Sequence, residues 1–155
     1  MFWVKPAGLE DKPVIFNLLQ LDMDELSQFP DEEPDYKDEK GVYSYPYFDH
    51  YWREHERFPY LLYSDSAIAG FALVRQDGKQ WEMAEFYVLP QFRLRSLATT
   101  CVTEIFKKHP GKWKIGYNKY NKPGQALWQK AAERFSKGDI LVEEDASHDY
   151  LLFSV

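Results

Sequence analysis

The chain has 155 residues, of which 45% are hydrophobic and 17% aromatic, a composition that predicts one globular domain over residues 1–155 and excludes a disordered chain. Its net charge of −6 excludes the basic surface that a nucleic-acid-binding protein needs. The single cysteine, Cys101, cannot form an internal disulfide and fits a reducing cytosol. With no signal-peptide pattern and no apolar run near the ~20 residues of a membrane helix, we expect a cytoplasmic protein without a membrane partner.

The N-terminal part of the chain predicts a strand and then an amphipathic helix. Residues 2–4 are apolar and aromatic, as expected of a short strand. Asp11 can cap a helix that has Pro13 in its first turn. Apolar residues at helical spacing then continue the helix to about Ser27.

The segment 22–40 has an unusual charge, because it contains nine acidic residues against only Lys37 and Lys40. Pro30 and Pro34 break any helix there. One interpretation is a solvated acidic loop, which is the ordinary state of a charge run. The other is a loop that raises the local concentration of a cationic acceptor, such as a polyamine, an aminoglycoside or a basic peptide.

An aromatic cluster follows and leads into a second predicted helix at residues 48–56. The aromatic residues at 48, 51 and 52 have helical spacing, which is typical of a side that packs on a core. Tyr43, Tyr45 and Tyr47 alternate before this helix. They fit either the core or the wall of a ligand pocket, where aromatic rings can also bind cations.

The rest of the chain alternates between strand patterns and two further helices. Strands are predicted at 60–63, 67–74, 81–89, 113–117, 139–142 and 150–155, and helices at 97–109 and 121–138. Turn residues at 65–66 and 77–78 predict that the first three of these strands are antiparallel neighbours. The predicted order is therefore β-α-α-β-β-β-α-β-α-β-β.

A short basic turn connects the strand that ends at Pro90 with the helix that carries Cys101. Arg93 and Arg95 place two positive charges beside the start of this helix at Ser96. A helix start has unpaired backbone N–H groups and partial positive charge, so it is an anion-binding site. We predict that this turn binds a pyrophosphate.

This arrangement resembles the GCN5-related N-acetyltransferases, the GNAT superfamily, whose acetyl-CoA motif reads Gln/Arg-x-x-Gly-x-Gly/Ala. Residues 93–98, Arg-Leu-Arg-Ser-Leu-Ala, fit it, with Ser96 in place of the first Gly. Residues 88–90 match the family's Val-x-Pro strand end, and the segment from Asn121 to Trp128 resembles its Asn-x-x-Ala helix beside the pantetheine arm. If the turn needs a positive φ at Ser96, serine costs more than glycine and lowers cofactor affinity.

The resemblance implies a fold, a cosubstrate and a set of binding residues. The fold class is α/β (α+β), with a mixed, mostly antiparallel central sheet flanked by helices on both faces. The central strand is expected to splay from the next one, and the cosubstrate is acetyl-CoA, with no metal. The implied cofactor-binding residues are Phe86, Tyr87, Val88, Arg93, Leu94, Arg95, Ser96, Leu97, Ala98, Asn121 and Trp128.

Acyl transfer to an amine needs a base, because the ammonium form, of pKa near ~10, has no lone pair. The strand at 81–89 contains Glu82 and Glu85, and their spacing predicts opposite faces, with at most one in the cleft. We favour Glu85, because residues 85–88 resemble the Glu-Phe-Phe-Val stretch of some bacterial members. Glu82 is the alternative, since the histone-modifying members carry their base further up this strand. Either residue could instead be a solvated glutamate.

A general acid is less clear from the sequence. Many members of the family place a tyrosine acid on the last helix, where this chain has Trp128, and an indole is no practical acid. Tyr117 or Tyr120 could replace it, or the thiolate could leave unassisted.

We therefore predict an N-acetyltransferase that transfers an acetyl group from acetyl-CoA to a primary amine of a small molecule or peptide, by direct attack in a ternary complex. The acidic segment would favour a cationic acceptor. One alternative is a CoA-binding module without turnover, suggested by Ser96 and Trp128. Another is an interaction domain that captures a basic partner with the acidic segment.

Overall fold

The computed structural model describes residues 1–32, 37–93 and 96–155. Its strands are β1 (Phe2–Pro6), β2 (Arg57–Ser64), β3 (Ala67–Asp77), β4 (Gln80–Val88), β5 (Lys112–Asn118), β6 (Leu141–Glu144) and β7 (His148–Ser154). Its helices are α1 (Lys12–Leu26), α2 (Leu97–Lys108) and α3 (Lys122–Phe135), with short 3-10 helices at Leu9–Asp11, Phe48–Trp52 and Pro90–Phe92. None of the helices in the described ranges has the length and apolar character of a membrane span.

The predicted second α-helix at residues 48–56 is wrong, because the structure has only a 3-10 helix at Phe48–Trp52. Its two buried side chains, Phe48 and Tyr51, are three residues apart, which is one turn of a 3-10 helix. Tyr47 before it has a φ of 66°, and Arg53 after it leaves the helical region at a φ of −123°. The other predicted elements are confirmed in their order.

The described strands form one sheet of seven, in the order β1-β2-β3-β4-β5-β7-β6. Neighbouring strands are antiparallel except β4 and β5, which α2 connects as a parallel crossover. The parallel pairing covers only Gln80–Glu82 of β4 and Lys112–Lys114 of β5. Beyond it the two strands separate, so the predicted splay is confirmed and a gap opens in the middle of the sheet.

A β-bulge in β4 determines which way its side chains face. Leu73 of β3 pairs with Glu85, whereas its neighbour Val74 pairs with Met83, so Ala84 is an extra residue. The extra residue shifts the alternation of side chains, and Glu82 and Glu85 both line the same cavity. The prediction that they point to opposite faces is therefore wrong, because a spacing of three assumed an unbroken strand.

Hydrophobic cores lie on both faces of the sheet, as predicted. On one face, α2 and α3 cover a core that includes the fully buried Trp113 and Cys101. On the other face, α1 and the 3-10 helix Phe48–Trp52 cover a core that includes Leu19 and Phe71. Cys101 is thus a packed core residue, as its place on the apolar stripe of α2 predicts.

The close pairing of β3 with β4 requires a glycine at position 70. A Cβ at Gly70 would collide with the backbone carbonyl oxygen of Tyr87, which cannot move without shifting β4. We expect Gly70→Ala to lower the free energy of unfolding by about 2 kcal/mol in urea denaturation. Gly116→Ala is the matched control, because its Cβ would meet mainly the movable ring of Tyr150, and it should cost less than about 1 kcal/mol. Equal stability of the two variants would contradict this close approach of β3 to β4.

Candidate active site

A cavity of about 560 Å³, here the central cavity, lies at the gap between β4 and β5. Its wall combines aromatic rings with charged groups of both signs. The aromatic residues are Tyr45, Tyr47, Tyr51, Phe86, Tyr117, Trp128 and Tyr150. The acidic residues are Asp22, Glu32, Glu82 and Glu85, and the basic ones are Arg57, Arg75, Lys114 and His148. An aromatic cavity with a few convergent polar groups is the usual form of a small-molecule site.

Glu85 is the titratable group whose environment is most suited to proton transfer. Burial raises its pKa to about 7, because the partly apolar surroundings penalise the charged carboxylate. Hydrogen bonds from Asp22 and Tyr45 oppose this rise by stabilising the carboxylate, while the negative charge of Glu32 adds to it. The side chain therefore changes its protonation state close to neutral pH.

Asp22 on α1 is a site residue that the sequence prediction missed. Its side chain is buried, with 5% exposure, and its Oδ2 has no hydrogen-bond donor among the described residues. Burial first, and then the charge of Glu85, hold the pKa of Asp22 well above its usual range. The raised pKa favours the protonated carboxyl group of Asp22, which is the form that can donate a hydrogen bond to Glu85.

A signal for Asp22 was present in the sequence. Asp22 follows Leu18 by four residues and Leu19 by three, so it lies on the buried stripe of α1 with Ile15 and Met23. Asp22 is also the first residue of the run of acidic residues, so charge alone places it in the acidic segment. A carboxyl group at a core position of a helix is rare enough to indicate a site.

Glu82 lies in a different environment, although it lines the same cavity. Its Oε2 accepts hydrogen bonds from Arg75, at 2.6 Å from Nε and 2.5 Å from Nη2. The guanidinium of Arg75 thus pairs Glu82 with β3. Of the two glutamates predicted as the base, Glu85 is the one without an ion pair in the described structure.

Of the described residues of the acidic segment, Asp22, Leu26 and Glu32 line the central cavity. His148 Nε2 lies 2.6 Å from Oε1 of Glu32, and Asn118 Nδ2 donates to the carbonyl oxygen of Pro30 at 2.8 Å. These contacts fix residues 30–32 against the ends of β5 and β7. Farther along, Asp38 and Glu39 are exposed, as a solvated loop predicts, and residues 33–36 lie outside the described residues.

The three alternating tyrosines divide between core and cavity. Tyr43 is buried, and its hydroxyl donates to Oδ1 of Asp24 at 2.9 Å. Tyr45 and Tyr47 line the central cavity. Both interpretations are therefore correct, each for part of the set.

The two tyrosines considered as a general acid are placed differently. Tyr117 lines the central cavity and its hydroxyl accepts from Nε2 of Gln129 at 3.1 Å, while burial raises its pKa. Tyr120 is 63% exposed and is not part of the cavity wall. Trp128 is buried in the wall, with its ring 5.3 Å from that of Phe86 in an edge-on arrangement.

A second cavity, of about 660 Å³ and here called the helix cavity, lies between the start of α2 and α3. It is lined by Ser96, Thr99 and Thr100 on one side and by residues of α3 that include Lys130 and Arg134 on the other. Among the described residues no side chain caps the start of α2, so the backbone N–H groups of its first turn have no capping acceptor there. A cavity with uncapped N–H groups and two cations fits an anionic group such as a pyrophosphate.

Several predicted cofactor residues surround this helix start. Ser96 has a φ of 64°, so the positive φ considered from the sequence is present. Leu97 and Ala98 form the first turn of α2, with Leu97 buried in the core. Leu94 and Arg95 lie outside the described residues. Asn121 caps α3, where its Oδ1 accepts from the N–H of Gly124 at 3.1 Å.

Arg93 is held by protein partners and does not line the helix cavity. Its Nη2 donates to Oε2 of Glu25 and its Nε to the carbonyl oxygen of Val88, both at 2.8 Å. Its guanidinium also lies over the ring of Tyr87, 5.5 Å from the centroid. A phosphate contact by Arg93 would compete with these bonds, which connect the basic turn to α1 and to the end of β4.

Comparison with known proteins gives a match to one family. Residues 20–135, more than half of the chain, match the family model described as the acetyltransferase (GNAT) family. No curated protein matches the sequence.

Three solved structures have the same fold. They are the PaiA N-acetyltransferase of Thermoplasma acidophilum in complex with coenzyme A, the GNAT domain of the S. lividans PAT, and the spermidine N-acetyltransferase of Vibrio cholerae in complex with CoA and spermine. Their TM-scores are 0.67, 0.72 and 0.66, at identities of 15%, 12% and 12%. The matches cover 100%, 98% and 99% of this chain and 99%, 89% and 95% of those chains. At these identities the likeness shows the fold alone.

The left-handed conformation of Ser96 generates a stability prediction. Because glycine has no Cβ, Ser96→Gly removes the steric cost of a positive φ and should raise the free energy of unfolding by about 1 kcal/mol. Urea denaturation measures the change. Ser96→Ala is the control, because it keeps the Cβ and loses no capping bond, and it should give no gain. A gain in both variants would show that the strain is not the cause.

The hydrogen bond from Asp22 to Glu85 generates a titration prediction. In Asp22→Leu the donor is lost, so the pKa of Glu85 should rise by about 1, which corresponds to about 1.4 kcal/mol. Asp22→Asn keeps an N–H donor of the same shape and should leave the pKa near its original value. NMR titration of the side-chain carboxyl carbon of Glu85 measures both variants. If Asp22→Leu lowers the pKa instead, Asp22 is ionised and repels Glu85.

Proposed function

We propose that this chain, which belongs to the GNAT acetyltransferase family, transfers an acetyl group from acetyl-CoA to a primary amine by direct attack in a ternary complex. The observation that carries the proposal is the open edge of β4 beyond Glu82, with the carboxyl group of Glu85 beside it at a pKa of about 7. The family membership supports acetyl transfer in general. The helix cavity between α2 and α3 supports a donor site, and the central cavity at this edge supports an acceptor site.

The helix cavity is the proposed site for the phosphates of CoA. The backbone N–H groups of Leu97, Ala98 and Thr99 would bind the pyrophosphate, with Lys130 and Arg134 of α3 as nearby charges. The structures of the T. acidophilum and V. cholerae enzymes, which contain CoA, support this use of the fold. Arg93 would act by holding the turn in place, because its guanidinium is bonded to Glu25 and Val88.

The thioester arm is proposed to follow the unpaired edge of β4. The backbone of Phe86 to Val88 offers N–H and C=O groups on the side that β5 leaves free, apart from the carbonyl oxygen of Val88, which accepts from Arg93. An N–H on this edge would stabilise the negative charge that develops on the thioester oxygen during attack. Asn121 and Trp128 at the start of α3 would flank the arm from the opposite side of the gap.

Glu85 is the proposed general base. Its carboxylate would take the proton of the bound ammonium, whose pKa lies about 3 above its own, so the transfer costs about 4 kcal/mol in equilibrium terms. The proton of Asp22 remains in its hydrogen bond and keeps Glu85 ionised and oriented. The free amine then attacks the carbonyl carbon, and the C–S bond breaks as the new C–N bond forms.

The departing thiolate needs little assistance, because thiols have pKa values of about 8–9. Tyr117 is the proposed proton donor, since it lines the cavity and its raised pKa keeps the hydroxyl protonated at neutral pH. Tyr120 is a poor candidate because it lies outside the cavity wall. Trp128 shapes the wall beside Phe86.

A second candidate function is CoA binding without turnover, which the strained Ser96 and the indole of Trp128 favour. Thiol release from acetyl-CoA in the presence of a panel of primary amines separates the two functions. Amine-dependent release supports the transferase. Calorimetric binding of CoA with no release by any amine supports the binding module, and no binding of CoA refutes both.

The role of Glu85 is tested by the pH dependence of turnover. Because the carboxylate is the active form, kcat/KM should rise with pH through about 7. Glu85→Gln should lower kcat/KM by about 100-fold or more and abolish the step near pH 7, with the Kd of CoA unchanged. Glu82→Gln is the matched control and should keep the step. If Glu82→Gln abolishes it instead, the base is Glu82.

A further inference from the structure

One row of charged residues crosses four strands of the sheet on the wall of the central cavity. Arg57 of β2 pairs with Arg75 of β3, Arg75 with Glu82 of β4, and Glu82 with Lys114 of β5. Side chains of paired residues lie side by side on the same face of a sheet. All four residues line the central cavity. We call this set, Arg57, Arg75, Glu82 and Lys114, the basic row.

The basic row contains three cations and one carboxylate. Arg75 is paired with Glu82. Nε of Arg57 donates to Oε2 of Glu54 at the cavity rim, at 2.9 Å. Lys114 forms no ion pair with any residue in the described ranges, and its Nζ lies 5.0 Å from the ring centroid of Tyr150. Like charges placed opposite each other, as in Arg57 and Arg75, destabilise a sheet, so the row gains from an added anion.

The environment of Arg57 also favours the binding of an anion. Its side chain is only 15% exposed, and its guanidinium carbon lies 5.2 Å from the ring centroids of both Tyr47 and Tyr51. The hydroxyl of Tyr51 beside it is buried and has no hydrogen-bond partner among the described residues. A buried hydroxyl without a partner costs free energy, and an anionic ligand group could accept its hydrogen bond after a small movement of the wall.

The opposite end of the central cavity is acidic. Glu85, Asp22 and Glu32 lie there, near the gap between β4 and β5. Glu85 is three residues from Glu82 along β4, one of them in the bulge, which corresponds to roughly 7–10 Å along the strand. The cavity is therefore bipolar, with carboxyl groups beside the proposed reaction centre and the basic row farther along.

We propose that the acceptor is an amine that also carries an anionic group, a carboxylate or a phosphate, and that the basic row binds this anion. The proposal rests on the acetyl transfer proposed above and names its substrate class. The ammonium group lies at the acidic end beside Glu85, and the anion lies against Arg57, Arg75 and Lys114. A polyamine would instead place a second ammonium group against the basic row, and the positive charges of the row would repel it.

The experiment compares acceptors of one length that differ in the charge of the far end. These are 6-aminohexanoate, its neutral amide 6-aminohexanamide and 5-aminopentylphosphonate, and spermidine is added as a longer polycation. We expect kcat/KM for the better of the two anionic acceptors to exceed that of the amide at least tenfold, with spermidine the poorest. The order of the two anionic acceptors shows whether the site prefers a carboxylate or a phosphate-like group.

Calorimetric titration in the presence of CoA measures the same preference without turnover. The anionic acceptors should bind at least tenfold more tightly than the amide. If thiol is released with all acceptors at similar kcat/KM and they bind equally, the basic row does not bind the substrate, although acetyl transfer stands. If the anionic acceptors bind preferentially but no amine releases thiol, the transferase proposal fails and the anion site remains.

Two lysine variants of β5 test whether the basic row causes the preference for anionic acceptors. Lys114→Gln should lower the ratio of anionic to amide acceptor at least fivefold, in both kcat/KM and binding. Lys112→Gln is the matched control, because Lys112 is an exposed lysine two residues away on the same strand and outside the cavity wall. It should keep the full ratio. A ratio unchanged in Lys114→Gln, or equally reduced in both variants, would refute the assignment.

Discussion

Backbone groups in the middle of a sheet must be paired, and the separation of β4 from β5 leaves part of one edge without a strand partner. This edge lies at the sheet's centre, where two hydrophobic cores and three helices restrict what can reach it. Arg93 already bonds the carbonyl oxygen of Val88 at the end of this edge, and water or an extended ligand chain can supply further hydrogen bonds. The central cavity is lined by residues of β4 and β5 at this opening, and the helix cavity lies between α2 and α3.

The bulge at Ala84 determines which carboxyl groups line the opening. By adding one residue, it brings Glu82 and Glu85 to the same wall, where they have opposite surroundings. Glu82 is bonded to Arg75, whereas Glu85 is buried beside Asp22, and burial raises the pKa of Glu85 to about 7. Two residues of one type thus have different surroundings, an arrangement that also occurs in enzymes with paired carboxyl groups.

Much of the fold could be predicted from the sequence because its signals are local. Pro90, the basic turn and the stripe through Cys101 indicated the strand, the turn and α2, and the motif of residues 93–98 indicated the family. Three properties of the site could not be predicted, because tertiary pairing determines them. The bulge at Ala84 is a shift of register against β3, the burial of Asp22 depends on the placement of α1, and the partners of Arg93 are distant in sequence.

The position of Cys101 has a practical consequence for studies in solution. It is the chain's single cysteine, it is fully buried on the core side of α2, and burial raises its pKa to about 12. Because the thiolate is the form that reacts with disulfide reagents, the native protein contributes almost no background colour when such a reagent is present. Any slow appearance of one equivalent of reactive sulfur per chain therefore reports global opening of the domain, and serves as an internal gauge of its integrity during an assay.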